Sequence, residues 1–100
     1  MIKHIVMWRV KDSAEGMDKA GIVAEMKKRL EALKGEVPGA IELELGANFN
    51  TSDGASDAVL YSTFNTREEL DAYQVHPAHQ AVVGFISSVA TERRVVDYEV

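Results

Sequence analysis

The nine residues I-K-H-I-V-M-W-R-V, positions 2 to 10, constrain the fold more than any other stretch of the chain. Side chains alternate along a strand, so Ile2, His4, Val6, Trp8 and Val10 share one face while Lys3, Ile5, Met7 and Arg9 share the other. The middle of this strand is apolar on both sides, so the sheet it joins needs covering on both. Residues 58 to 64, A-V-L-Y-S-T-F, pose the same demand, with Leu60 and Phe64 on one side and Val59 and Tyr61 on the other.

The rest of the chain supplies only two helical segments. Asp12 or Ser13 is the expected N-cap of the first, which runs to about Lys34. Ile22, Met26, Leu30 and Leu33 form its apolar stripe, and Lys27, Lys28 and Glu31 its wetter side. Gly35 and the Pro38-Gly39 pair end it, whereas Gly16, Gly21 and Gly84 read as isolated glycines serving helix packing. Residues 40 to 49 alternate as a second strand, and N-T-S-D-G-A-S-D at 50 to 57 is a loop by composition. T-R-E-E at 66 to 69 is a capping box opening a helix that runs to about Val75, breaks at His76-Pro77 and resumes to about Ala90. R-V-V-D-Y-E-V closes the chain as a fourth strand.

The order β-α-β-β-α-β is the α+β, ferredoxin-like plan, a single domain over residues 1 to 100 with a four-stranded antiparallel sheet. Two helices cover one face of such a sheet. A bare apolar face of several hundred square ångströms is uncommon on a monomer, so the expected cover is a second copy of the chain. The expectation is a homodimer with its sheets packed face to face. Glu42 and Glu44 point to a solvated edge on the second strand.

Charge and composition exclude several function classes. The formal net charge is −5 with no basic footprint, which argues against a nucleic-acid partner. The absence of cysteine removes disulfides, thiolate metal sites and a cysteine nucleophile. No apolar run has the length of a spanning helix, and Lys3 and Arg9 break the opening segment as a signal-peptide core, so no membrane partner is expected and the expected location is cytoplasmic. The histidine pair H-P-A-H lacks a third ligand at zinc-site spacing, and Asp53 and Asp57 do not match a calcium loop, so no metal and no cofactor is expected.

What remains is the stretch Y-Q-V-H-P-A-H, residues 73 to 79. A residue before proline is pushed toward extended angles, which an N-cap needs, and proline suits the first helical position. His76 therefore reads as a cap. His79 falls beside Val82, Val83 and Ile86 at the border of the apolar stripe. Partial burial and the positive end of the helix dipole both disfavour its protonated form, leaving a neutral imidazole able to accept a proton. Tyr73 lies one turn earlier and can aim into the same space, either as a core aromatic or as a proton donor. His4 shares its face with Val6 and Trp8, and Asp97 in the last strand can orient an imidazole or bond the backbone.

These residues carry a resemblance. The opening M-I-K-H-I-V-M-W-R-V, the G-A-N at 46 to 48, the Y-Q-V-H-P-A-H turn and the closing V-V-D-Y at 95 to 98 resemble the stress-responsive A/B-barrel (Dabb) family over nearly the whole chain. The resemblance implies a subunit that pairs into a dimeric α+β barrel. Similarity to a plant polyketide cyclase of that family implies acid–base roles for Tyr73 and His79, with His4 lining a substrate cavity and Asp97 near His79; Trp8, on the strand face of His4, is expected to line the same space. The cyclase has a pocket histidine where this chain has Ala58, and Trp8 stands where it can shrink the cavity. Haem-degrading barrels combine Asn, Trp and His, but Asn48, Trp8 and His79 lack their motif context. Two readings follow: a cofactor-free enzyme acting on a small carbonyl compound, or a stress-response protein that binds a small carbonyl or aromatic metabolite or serves structurally. In the second, Tyr73 and His79 only fasten the helix restart to the sheet.

Overall fold

A computed structural model describes residues 1–100. Four strands, β1 (Ile2–Val10), β2 (Ala40–Ala47), β3 (Ala58–Phe64) and β4 (Ala90–Glu99), form an antiparallel sheet in the order β2-β3-β1-β4. Three helical segments, α1 (Lys19–Glu36), α2 (Arg67–Val75) and α3 (Pro77–Val89), cover one face, giving a ferredoxin-like α+β subunit. No helix is long and apolar enough to cross a membrane.

The alternation of β1 decides which face is which. Ile2, His4, Val6, Trp8 and Val10 are all buried beneath the helices. Leu43 and Leu45 of β2 and Ala58, Leu60, Ser62 and Phe64 of β3 join them, meeting the expected helix stripe Ile22, Met26, Leu30 and Leu33. The opposite face carries Ile5, Val59 and Tyr61 half-buried and Met7, Val96 and Tyr98 exposed, with no helix over it.

The first helix begins later than its sequence suggests. Ser13–Ala14 pairs with Met17–Asp18 in a small hairpin whose loop residues, Glu15 and Gly16, have φ of 54° and 74°. Two successive positive angles make the tight turn that matches strand twist, and Gly16 supplies the second at no steric cost. Gly16 therefore serves a turn rather than helix packing, and the N-cap is Asp18, whose carboxylate accepts the Gly21 N–H at 2.8 Å, not Asp12 or Ser13. The other end runs through Glu36, past Gly35. The expected capping box is half formed: the Thr66 hydroxyl accepts the Glu69 N–H at 3.1 Å.

β2 is an edge strand, and α1 blunts it. Glu31 accepts the Leu45 N–H at 3.0 Å, while Lys27 donates to the Leu45 carbonyl at 3.0 Å and to Glu31 at 2.7 Å. The two side chains occupy the hydrogen-bonding positions a neighbouring strand would take, which discourages edge pairing there. Both bonds hold the Glu31 carboxyl below its usual range, the Lys27 bond most.

Candidate functional site

The break between α2 and α3 positions the site. His76 adopts φ −63° and ψ 136°, the extended angles that proline imposes on its predecessor, and its Nδ1 accepts the Ala78 N–H at 3.1 Å. His76 is thus the cap its sequence context requires. Pro77 starts α3, and His79, in its first turn, swings back over the end of α2.

His79 Nδ1 lies 3.0 Å from the Gln74 carbonyl oxygen, one of the acceptors that the end of α2 leaves without a helical partner. A carbonyl only accepts, so Nδ1 carries the proton and Nε2 keeps its lone pair. Burial pushes the His79 pKa below its ordinary 6.5, with His4 and Arg93 acting in the same direction and the Gln74 bond opposing. The ring is therefore neutral at pH 7 with a free acceptor.

His4 is fixed by sheet register. It pairs with Ser62 on one side and Asp97 on the other, so the side chains of all three point to the helix face. Its Nδ1 donates to the Asp97 carboxylate at 2.5 Å, and the Ser62 hydroxyl donates to its main-chain carbonyl at 2.8 Å. His4 itself is only 2% exposed. The carboxylate expected near His79 thus orients the other imidazole, because direct cross-strand pairing brings Asp97 to His4.

The two histidines share a cavity of about 80 Å³ between sheet and helices. Trp8, Val6 and Leu60 form its apolar floor, and Gln74, Ser87 and Arg93 its polar rim. Trp8 stands directly opposite Ala58 in the β1–β3 register, so the indole occupies room that a larger residue at 58 would claim. The cavity is accordingly small. Ligand sites for larger organic molecules start at roughly 300 Å³.

Tyr73 does not line this cavity. It is completely buried behind it, its ring centroid 4.5 Å from that of His79, 5.1 Å from Phe64 and 6.4 Å from His4. Desolvation pushes its pKa up to about 12, so the hydroxyl stays protonated. Both the Tyr73 hydroxyl and the Trp8 indole N–H are buried without a protein hydrogen-bond partner. Buried polar groups nearly always find partners, and each exception calls for a reason.

The geometry brings together His4, Trp8, His79 and, one layer back, Tyr73. Asp97 reaches the group only through His4 and lines a separate surface groove of about 310 Å³ with Arg67 and Glu99. Asn48 is remote from the cavity, its amide donating to the Ser56 carbonyl at 2.7 Å. Asp57 accepts the Val10 N–H at 2.8 Å and faces Lys19 at 3.3 Å, so its oxygens serve the fold. Arg93, Gln74 and Ser87 were not legible as site residues, because nothing local marks them and only register and the helix crossing bring them to the rim.

Comparison with known proteins extends this picture. The stress-responsive A/B barrel domain family matches residues 2–100. An uncharacterised protein of Streptomyces coelicolor is 30% identical over 99 residues, covering 99% of each chain. A dimeric protein of unknown function from Bacteroides fragilis, with a ferredoxin-like fold, superposes with a TM-score of 0.86 at 28% identity, covering 99% of this chain and 95% of that one. A dimeric ferredoxin-like protein of unknown function from Jannaschia gives 0.77 at 31% identity, covering 99% and 98%.

Proposed function

The chain belongs to the stress-responsive A/B barrel domain family, and from that premise we propose that it works as a homodimer whose helix-side cavity takes a small carbonyl compound, with His79 as the proton acceptor. One observation carries the reading. Two imidazoles, each tethered through Nδ1, turn toward a single apolar cavity that also touches an indole whose N–H has no partner. An apolar enclosure with a few fixed polar groups is what small-ligand sites have in common. A volume of about 80 Å³ favours a compound of few heavy atoms over a polyketide chain.

The chemistry such a site supports is proton transfer at carbon. His79 Nε2 takes a proton from the carbon next to the carbonyl, the C–H electron pair forms the new C=C bond, and the carbonyl π pair moves onto oxygen. The developing oxyanion draws a hydrogen bond from a neutral donor, and Trp8, a residue of the cavity wall, carries one that is buried without a protein partner. Return of the proton to carbon restores the carbonyl. A positioned base of this kind gives roughly 10² to 10⁴ in rate. Tyr73 contributes from behind by fixing the two imidazole planes, and Asp97 by holding the tautomer of His4.

The dimer reading rests on the helix-free face, where Val96 is 51% and Tyr98 44% exposed beside Ile5 and Tyr61. The related structures described as dimeric support it.

The test is deuterium incorporation next to the carbonyl of pyruvamide in heavy water, followed by proton NMR with catalytic amounts of protein. Exchange above background that drops 100-fold or more in His79→Ala supports the base. Shifts of the His4 and His79 ring signals without exchange reduce the site to a binder. No shift with millimolar pyruvamide or pyruvate refutes the reading.

A further inference from the structure

We infer that the natural ligand of this cavity carries a carboxylate and that Arg93 selects for it; this rests on the carbonyl reading and narrows it to a short oxo acid. Arg93 lies opposite Trp8 in the β1–β4 register, on the cavity rim with Ser87 and Gln74. The chain has five arginines, and the other four are matched to carboxylates. Arg9 reaches Glu92 at 3.1 Å, Arg29 reaches Glu25 at 2.9 Å, Arg67 reaches Glu99 at 3.1 Å and Arg94 reaches Glu92 at 2.6 Å. Arg93 has no carboxylate within salt-bridge distance. Strand alternation explains why: Glu92 points to the opposite face with Arg9 and Arg94, while Asp97, on the same face as Arg93, is engaged by His4.

The cavity wall sharpens the point. In a chain with 16 acidic and 11 basic residues, the residues lining this cavity include one arginine and no aspartate or glutamate, and the one carboxylate behind them, Asp97, is taken by His4. The buried N–H of Trp8 is a further donor without an acceptor. Arg93 is also near enough to His79 to help depress its pKa. The lining therefore offers positive charge and surplus donors to an occupant that must bring the negative charge. A planar guanidinium with a free fork of N–H groups matches a carboxylate through two parallel hydrogen bonds. With the carboxylate at the rim, the cavity holds the adjacent carbonyl and a methyl-sized group beside His79.

Pyruvate and pyruvamide test this, since they have the same number of heavy atoms and differ chiefly in charge. Both are titrated into the full-length protein while the His4 and His79 ring signals are followed by NMR. Wild type is expected to bind pyruvate at least tenfold more tightly than pyruvamide. Arg93→Gln removes that preference by weakening pyruvate alone, and Arg93→Lys restores part of it. Thermal unfolding of both variants verifies that the fold is kept. Equal affinities in wild type, or an undiminished preference in Arg93→Gln, overturn the selection by charge while leaving the carbonyl site intact. No ring-signal shift with either probe overturns both.

Discussion

Tyr73→Phe removes a single oxygen atom, and the structure says that this makes the protein more stable. The hydroxyl is fully buried and donates to nothing in the protein. A buried hydroxyl without a partner forfeits its hydration at a cost of about 1–3 kcal/mol. Deleting it leaves a hydroxyl-sized void of roughly 10 Å³, which at about 24 cal/mol per Å³ returns only a few tenths of a kcal/mol. The net expectation is a gain of about 0.8–2.8 kcal/mol. For a domain of this size 1 kcal/mol moves Tm by about 4–8 °C, so the smallest expected effect is well above error. Urea and thermal unfolding measure it, with both proteins at the same concentration because any self-association adds to apparent stability. The aromatic contacts with His79, Phe64 and His4 are untouched, so probe binding is expected to change less than threefold. Two results refute this reasoning. Destabilisation by 1 kcal/mol or more means that the hydroxyl has a partner in the folded protein. A 100-fold loss of deuterium exchange with unchanged stability means that Tyr73 is the acid, not a support behind the imidazoles.

His79 makes stability depend on pH. Its folded pKa lies below the ordinary 6.5, so both states are neutral above that value. As pH falls from 6.5 toward the folded pKa, the unfolded chain takes up a proton that the folded one does not. Stability therefore drops through that window and levels off below it, and His79→Gln flattens this part of a urea-unfolding pH series. His76→Ala removes the acceptor of the Ala78 N–H and is expected to cost about 0.5–2 kcal/mol, with His76→Asn close to wild type and pyruvamide binding unchanged in both. Val96→Lys places a charge on the exposed helix-free face and is expected to give a monomer by sedimentation at micromolar concentration, with the fold retained by circular dichroism. Trp8→Ala opens the space opposite Ala58 and is expected to admit larger ketones, at a stability cost of about 3–5 kcal/mol.

Much of the fold was legible because its signals are local. Alternation marked β1 and β3, a single apolar stripe marked α1, and Thr66 and His76-Pro77 fixed two helix starts through the backbone angles they require. The hairpin at Ser13–Asp18 was missed because its turn, Glu15-Gly16, lacks the Asn or Asp that usually announces two positive φ values. The candidate site was legible in part. The face of His4 and Trp8 follows from alternation, and His79 follows from its place on α3. That Asp97 serves His4, that Tyr73 stands behind the wall and that Arg93 reaches the rim depend on register and on how two helices cross the sheet.

The sequence by itself determined which residues turn inward and where the chain bends, since side-chain periodicity and proline geometry act over a few neighbours. Only the tertiary structure decided which inward residues meet. Pairing Asp97 with His4 closes a separation of 93 positions, and no local preference encodes a contact that far apart. Strand register sets it, and register is settled by packing the whole buried face at once.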